Sequence, residues 1–331
     1  MRLFTLSLIY ILTSFTPALA DIKSSMLTGT LVVVNKRGDD MSFIDLASRQ
    51  IVAARATGKG PHEVAITKDG KWAVVTDYVG GNSLSVFDIV NAQKVRTIDL
   101  SDYPRPHGIL FLADQRRVAV SAEGADAVVI ADIFSGKITQ ALNTEQKGSH
   151  MVALNGATDK VYTTNMVSNT VSELSIPSNK LLRQIPMPKT PEAITINASG
   201  NELWVGSNQD GLVTVFDTKT GQQIKQWKDY TFPYRVLLSQ DEKYAVIPDF
   251  RQNILDIVEV ESKTRVKRVE FPDKTTPNGV VFAPDQRTLF MSAYDKNKVY
   301  VVQVPSGKVL FELPTGDGPD GIGYSPFTLS R

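Results

Sequence analysis

The three histidines of this 331-residue chain stand in one sequence context. His62, His107 and His150 each follow a proline or serine and precede an apolar run, and Glu192 occupies the same place in a fourth segment. Imidazole nitrogens and carboxylate oxygens are the ligands that borderline divalent metals such as zinc, copper, iron or manganese take. The residue types therefore predict a metal site made of these four side chains, provided that the fold brings them together.

The same context recurs seven times along the chain. Its second position falls at residues 62, 107, 150, 192, 234, 278 and 320, so successive copies are 42 to 45 residues apart. We call these seven positions the ring positions. They carry His62, His107, His150, Glu192, Tyr234, Asn278 and Asp320.

Each repeat reads as four short strands. Apolar alternation rich in β-branched residues is broken by turn sequences such as Lys68-Asp69-Gly70, and long patterns of helical period are missing. Four strands per repeat of this length are typical of a propeller blade. The sequence thus predicts an all-β, seven-bladed β-propeller with four strands per blade.

The two ends of the repeat array are incomplete in complementary ways. Residues 30–34 begin as the second strand of a blade, whereas residues 321–324 are a first strand without successors. We therefore expect the N- and C-terminal strands to share one blade and close the ring, which would remove the open sheet edges.

The repeat resembles the YVTN-type β-propeller family, with Val161-Tyr162-Thr163-Thr164-Asn165 close to its signature. The resemblance covers essentially all of the chain after residue 20. It implies kinship with periplasmic propellers, lactonase-like propellers and the haem-carrying propeller of periplasmic nitrite reductases. The last of these would make His62 or His107 an axial ligand of a haem-type tetrapyrrole, although this chain carries no cytochrome portion of its own.

Further side chains are expected around the mouth of the channel. In a propeller the first strand of each blade lines the axis, so the ring positions should project there, with Tyr234, Asn278 and Asp320 as ligand-binding residues beside the metal set. Polar and aromatic residues at the ends of the second strands, together with residues flanking the ring positions, could hold an anionic ligand. The ligand-binding candidates from these places are Tyr78, Arg105, Arg235 and Arg251.

The N-terminus and the composition bear on location. Residues 1–20 combine Arg2, a short apolar stretch and Ala18-Leu19-Ala20, which predicts a cleaved signal peptide, a domain over 21–331, and a periplasmic or secreted protein without a membrane span. The sequence has no cysteine, which excludes disulfides, thiolate metal sites and covalently attached c-type haem. A net charge of +1 provides no basic field for non-specific binding, so nucleic acid is not expected as a partner.

Three functions are compatible with these observations. The first is a periplasmic ligand-binding propeller whose channel mouth holds a metal, a tetrapyrrole or another small molecule for a periplasmic partner protein. The second is a metal-dependent oxidoreductase, hydrolase or lyase, with Glu192 or Asp320 as general base. The third is a protein-docking scaffold.

Overall fold

The chain forms seven four-stranded antiparallel sheets arranged as the blades of a propeller. The computed structural model describes residues 27–329, so the predicted signal peptide lies outside the described residues. The predicted fold class is confirmed: the described chain has 28 strands and only two single-turn 3₁₀ helices, Glu123–Ala125 and Tyr294–Lys296. Within residues 27–329 no helix is long and apolar enough to cross a bilayer.

The strands are numbered in chain order, and their bounds follow. They are β1 (Thr30–Asn35), β2 (Asp40–Asp45), β3 (Gln50–Ala56), β4 (Pro61–Ile66), β5 (Trp72–Asp77), β6 (Ser83–Asp88), β7 (Gln93–Asp99), β8 (Pro106–Phe111), β9 (Arg117–Ala122), β10 (Ala127–Asp132), β11 (Ile138–Asn143), β12 (Ser149–Leu154), β13 (Lys160–Asn165), β14 (Thr170–Ser175), β15 (Lys180–Pro186), β16 (Pro191–Ile196), β17 (Glu202–Ser207), β18 (Leu212–Asp217), β19 (Gln223–Trp227), β20 (Leu237–Leu238), β21 (Tyr244–Asp249), β22 (Ile254–Glu259), β23 (Thr264–Glu270), β24 (Pro277–Phe282), β25 (Thr288–Ala293), β26 (Lys298–Gln303), β27 (Lys308–Pro314) and β28 (Pro319–Ser325).

Blades 1 to 6 each use four consecutive strands, starting with β4–β7 as blade 1 and ending with β24–β27 as blade 6. Blade 7 has the order β28-β1-β2-β3, with Thr30 opposite Ser325 and Val32 opposite Gly323. The C-terminal strand therefore supplies the inner strand of the blade that the N-terminal strands begin, as the sequence predicts.

The core lies between the blades rather than at one centre. Each apolar cluster joins two neighbouring blades; Val74 and Leu84 of blade 1, for example, pack with Ile109 and Val118 of blade 2. The second and third strands supply most of these buried side chains, because both of their faces are covered, whereas the outermost strands are largely exposed. Burial of apolar surface at every blade interface is what stabilises the ring.

A β-bulge stands at the ring position of blade 1 and recurs in the other regular inner strands. In blade 1, His62 and Glu63 together face the single residue Thr76. The Thr76 hydroxyl accepts the Glu63 N–H at 3.0 Å and donates to the carbonyl of His107 in the next blade at 2.9 Å. Such bulges turn side chains away from the regular alternation, here towards the channel.

Blade 5 departs from the predicted pattern. Its first strand is reduced to β20, and Pro233 makes only an isolated bridge to Asp249. The physical reason is Pro248, which stands where blade 1 has Thr76 and offers neither an N–H nor a hydroxyl to the inner strand. Tyr234 is still anchored there, because its N–H donates to the Pro248 carbonyl at 2.9 Å.

Glycines one place after the ring position let the inner strands approach closely. A Cβ on Gly321 would lie 2.5 Å from the His62 carbonyl oxygen, and a Cβ on Gly108 would lie 2.7 Å from the Val152 nitrogen. Gly279 meets the backbone of Asp320 in the same way. We call this level of the channel, just below the ring positions, the waist.

The waist predicts a stability effect. Gly321→Ala should lower the free energy of unfolding by about 1–3 kcal/mol, because the methyl group would have to push two inner strands apart. Gly38→Ala is the control: its Cβ would meet nothing closer than 3.4 Å, so a change within about 0.5 kcal/mol is expected. Urea unfolding measures both, and equal stabilities for the two variants would contradict a tight waist.

Candidate functional site in the channel mouth

The three histidine rings pack against one another in the channel. The ring centroids of His62 and His107 are 4.0 Å apart, and those of His107 and His150 are 3.5 Å apart. Tyr78 closes the cluster from the side, with its ring 4.7 Å from that of His107. Consecutive blades therefore bring these side chains together, as their common register predicts.

His107 lies in the middle of this cluster and is fully buried. Neither of its ring nitrogens has a partner with hydrogen-bond geometry among the described residues. Burial, followed by the nearby charges of His150, Lys36 and Arg105, holds the pKa of His107 well below its usual range. Burial, and the repulsion that a protonated His107 would exert, lower the pKa of His62 in the same sense.

His62, Glu63 and Asp320 form the most compact group of candidate metal ligands in the described chain. One ligand atom from each lies within 4.8 Å of the other two. His62 Nδ1 is 3.2 Å from Asp320 Oδ2 and 3.4 Å from Glu63 Oε1. Of the predicted metal set only His62 belongs to this group, and the four-residue set of His62, His107, His150 and Glu192 stays a prediction.

Asp320 contacts several residues of the ring and its surroundings. Its Oδ1 accepts hydrogen bonds from the Tyr234 hydroxyl at 3.1 Å and from the Asn278 amide at 3.2 Å. Its Oδ2 has no hydrogen-bond partner within residues 27–329 but lies 3.4 Å from the Lys36 ammonium. The predicted ligand-binding residues Tyr234 and Asn278 thus orient a carboxylate whose second oxygen points into the channel.

His150 belongs to a different polar chain on the other side of the cluster. Its Nδ1 lies 2.9 Å from Glu123 Oε2, which also accepts the Tyr78 hydroxyl at 2.7 Å. Arg105 reaches the same pair, 2.8 Å from Glu123 Oε1 and 2.5 Å from the Tyr78 oxygen. Burial opposes ionisation of Glu123, but His150, Tyr78 and Arg105 more than offset it and lower its pKa.

Glu192 is buried beside His150, with Oε1 3.8 Å from His150 Nε2. Its other oxygen accepts a hydrogen bond from the Asn208 amide. Burial raises the pKa of Glu192 above its usual value, and the nearby charges of His150 and Lys36 counteract only part of that rise. The side chain therefore holds its proton more tightly than an exposed glutamate does.

The predicted arginines are in three different places. Arg105 lies at the mouth, where its side chain is 54% exposed. Arg235 points into the waist instead and forms an ion pair with Glu63 across the channel. Arg251 is exposed and lies over the Phe232 ring at 4.9 Å, and Phe232 in turn stacks on the ring residue Tyr234.

Glu63 is the site residue that sequence reasoning missed. It follows His62 directly, and Arg235 follows Tyr234 in the same register on blade 5. The sequence signal for this contact was a pair of opposite charges, each one place after the ring position of its blade, on two blades that face each other. The bulge hides it, because regular alternation would turn residue 63 away from the axis.

Comparison with known proteins supports the fold. No family model matches the sequence, so membership of the YVTN-type family stays a prediction. Antigen Lp49 of Leptospira interrogans is 20% identical over 328 aligned residues, which cover 92% of this chain and 69% of the antigen.

Two solved structures share the architecture. Hydrazine synthase of Kuenenia stuttgartiensis matches with a TM-score of 0.74 and 19% identity, over 84% of this chain and 93% of that one. A functionally unknown protein from Desulfotomaculum acetoxidans matches with a TM-score of 0.76 and 16% identity, over 90% and 99%. At these identities the likeness establishes a propeller and does not transfer a function.

The buried histidines predict a loss of stability in acid. Below about pH 6.5 a histidine of the unfolded chain binds a proton, whereas His107 of the native protein stays unprotonated. The free energy of unfolding therefore falls as the pH drops, by at most about 1.4 kcal/mol per pH unit for each such histidine. Glu192 acts with the opposite sign, because the native protein keeps a proton that the unfolded chain has lost.

A comparison of variants isolates the contribution of His107 to this pH dependence. Urea unfolding of chelator-treated protein between pH 7.5 and 5.5 should give a shallower slope for His107→Gln than for the wild type, since both retain Glu192. Identical slopes would show that His107 is protonated as readily in the native protein as in the unfolded chain.

Proposed function

We propose that this protein is a ligand-binding β-propeller that holds a divalent transition-metal ion in the mouth of its channel. His62, Glu63 and Asp320 would bind the ion, with one imidazole nitrogen and two carboxylates as ligands. Such a mixed set suits zinc, manganese or iron, and three protein ligands leave coordination positions for water or a small molecule. The ion would supply Lewis acidity.

The observation that carries this proposal is a pair of buried polar atoms without hydrogen bonds. His62 Nδ1 and Asp320 Oδ2 are both buried and both lack a hydrogen-bond partner in the described chain, although they lie 3.2 Å apart. Buried polar atoms left in this state are costly and are normally satisfied by a partner. A cation between them would satisfy the lone pairs of both atoms at once.

Two cations already balance the carboxylates and would compete with a metal ion. Lys36 faces Asp320, and Arg235 is paired with Glu63. The Lys36 side chain is 21% exposed and ends a flexible stem, so its ammonium can move into solvent when an ion enters. Arg235 can stay in place, because a carboxylate has lone pairs enough for an arginine and a metal ion together.

The geometry favours an ion over a haem-type tetrapyrrole. An axial haem ligand has to present a nitrogen to an open face as wide as the macrocycle. His62 and His107 are 4% and 0% exposed, and each has another aromatic ring packed against it. The residues in this arrangement therefore do not fit a haem. The enzyme and docking-scaffold alternatives remain predictions from the sequence.

Metal binding distinguishes the two candidate ligand sets. In calorimetric titration of chelator-stripped protein with Zn²⁺, Asp320→Asn should weaken binding by at least about 100-fold, because removing a direct ligand costs more than removing an outer partner. His150→Gln should stay within about threefold of the wild type, since His150 lies outside the group of His62, Glu63 and Asp320.

Thermal unfolding of both variants provides the control for folding. The reverse pattern, with His150→Gln losing Zn²⁺ and Asp320→Asn retaining it, would move the ion to the set that contains His107 and Glu192. A wild-type protein that takes up none of zinc, manganese or iron would overturn metal binding as the function.

We also propose that the protein works outside the cytoplasm, as a member of the YVTN-type family. The support is sequence alone: the repeat with residues 161–165 for the family, and the signal-like residues 1–20 for the location. Expression of the full chain in a bacterial host followed by periplasmic extraction should give a mature protein whose N-terminal sequence begins at Asp21. Full-length protein retained in the cytoplasm would contradict this proposal and would leave the proposed metal binding unaffected.

A further inference from the structure

The channel continues below the waist as a separate cavity of about 570 Å³. All seven inner strands line it with their C-terminal halves, whereas the ring positions lie at their N-terminal ends. The cavity therefore faces the opposite side of the propeller from the channel mouth. We call it the vestibule, and its volume lies in the range of small-molecule sites.

The walls of the vestibule are predominantly apolar. Ile109, Leu110 and Phe111 of blade 2 line it together with Ile194 of blade 4 and Val281 of blade 6. Leu110 is 39% exposed although it stands on an inner strand. A concave apolar wall that stays open to solvent is the form of surface that binds the apolar body of a ligand.

Charge enters the vestibule at its inner end and at its rim. Arg235 lines the inner end, is only 7% exposed, and has an Nε that no described residue bonds. Lys68 lies at the rim, and Glu63, the partner of Arg235, is the single carboxylate that the described chain contributes to the lining. Two cations against one carboxylate leave this apolar cavity with a net positive charge.

We propose that the vestibule binds a small monocarboxylate with an apolar body. The carboxylate would pair with the Arg235 guanidinium at the waist, and the body would lie against Leu110, Phe111 and Val281. Arginine suits this role because its planar fork can serve Glu63 and a second carboxylate at the same time. This site lies on the other side of the waist from the proposed metal site, and the Arg235–Glu63 ion pair connects the two.

The buried guanidinium of Arg235 has donors available for a second carboxylate. Its Nη2 is paired with Glu63, and its Nε has no hydrogen-bond partner among the described residues. The carboxylate of Glu192 is 3.8 Å from Arg235 Nη1, which is beyond hydrogen-bond distance. An added carboxylate would stabilise the buried guanidinium.

Octanoate is a suitable probe, with octanol as the uncharged ligand of the same length. Calorimetry of the full mature protein in the presence of chelator should show octanoate binding, and octanol binding should be at least about tenfold weaker, because a charge-assisted hydrogen bond is lost. The chelator keeps the metal site out of the measurement, so either proposal can fail without the other.

Two variants of exposed leucines test where octanoate binds. Leu110→Glu puts a carboxylate in the vestibule and should weaken octanoate binding at least about tenfold by like-charge repulsion. Leu310→Glu is the matched control: Leu310 is 40% exposed on the outer strand β27, and binding should change less than about twofold. Absence of octanoate binding, equal affinity for octanol, or an unaffected Leu110→Glu variant would each overturn the proposal.

Discussion

Ring closure is the constraint on which the candidate site depends. His62 stands on the first complete inner strand and Asp320 on the last strand of the chain, and only the pairing of β28 with β1 makes their blades neighbours. The 3.2 Å contact between them is therefore a product of closure. Lys36, at the end of β1, reaches Asp320 across the same blade. A propeller that failed to close would lose its ligand group along with its last blade interface.

Closure also fixes how the channel is divided. Gly108, Gly279 and Gly321 let neighbouring inner strands touch at the waist, so the space that remains there is filled by the long side chains of Glu63 and Arg235. Their ion pair crosses the channel and separates a polar mouth from an apolar vestibule. Because the two residues serve both sides, the waist is the place where events in the mouth and in the vestibule could influence each other.

The charged groups in the polar mouth offset one another, and neither sign of charge is in large excess. Burial keeps His62 and His107 neutral and raises the pKa of Glu192, while Lys36 and Arg235 compensate the remaining carboxylates. Unpaired buried charges are strongly destabilising, so such a cluster can be tolerated only if its members offset one another. The hydroxyls opposite the bulges, such as that of Thr76, tie one blade to the next and keep these side chains in position.

The amino-acid sequence was enough to predict the number of blades, the four strands in each, the shared closing blade and the seven ring positions. A period of 42 to 45 residues and the alternation of buried and exposed side chains are local properties of the chain, so they can be read without coordinates. The register also predicts that the three histidines meet, but the other contacts of the ring residues depend on the tertiary structure. There His62 lies beside Glu63 and Asp320, Arg235 points into the waist, and Arg251 lies outside the ring. The reason is physical: contacts across a ring depend on blade tilt, bulges and rotamers, and none of these is encoded in the spacing of residues along one strand.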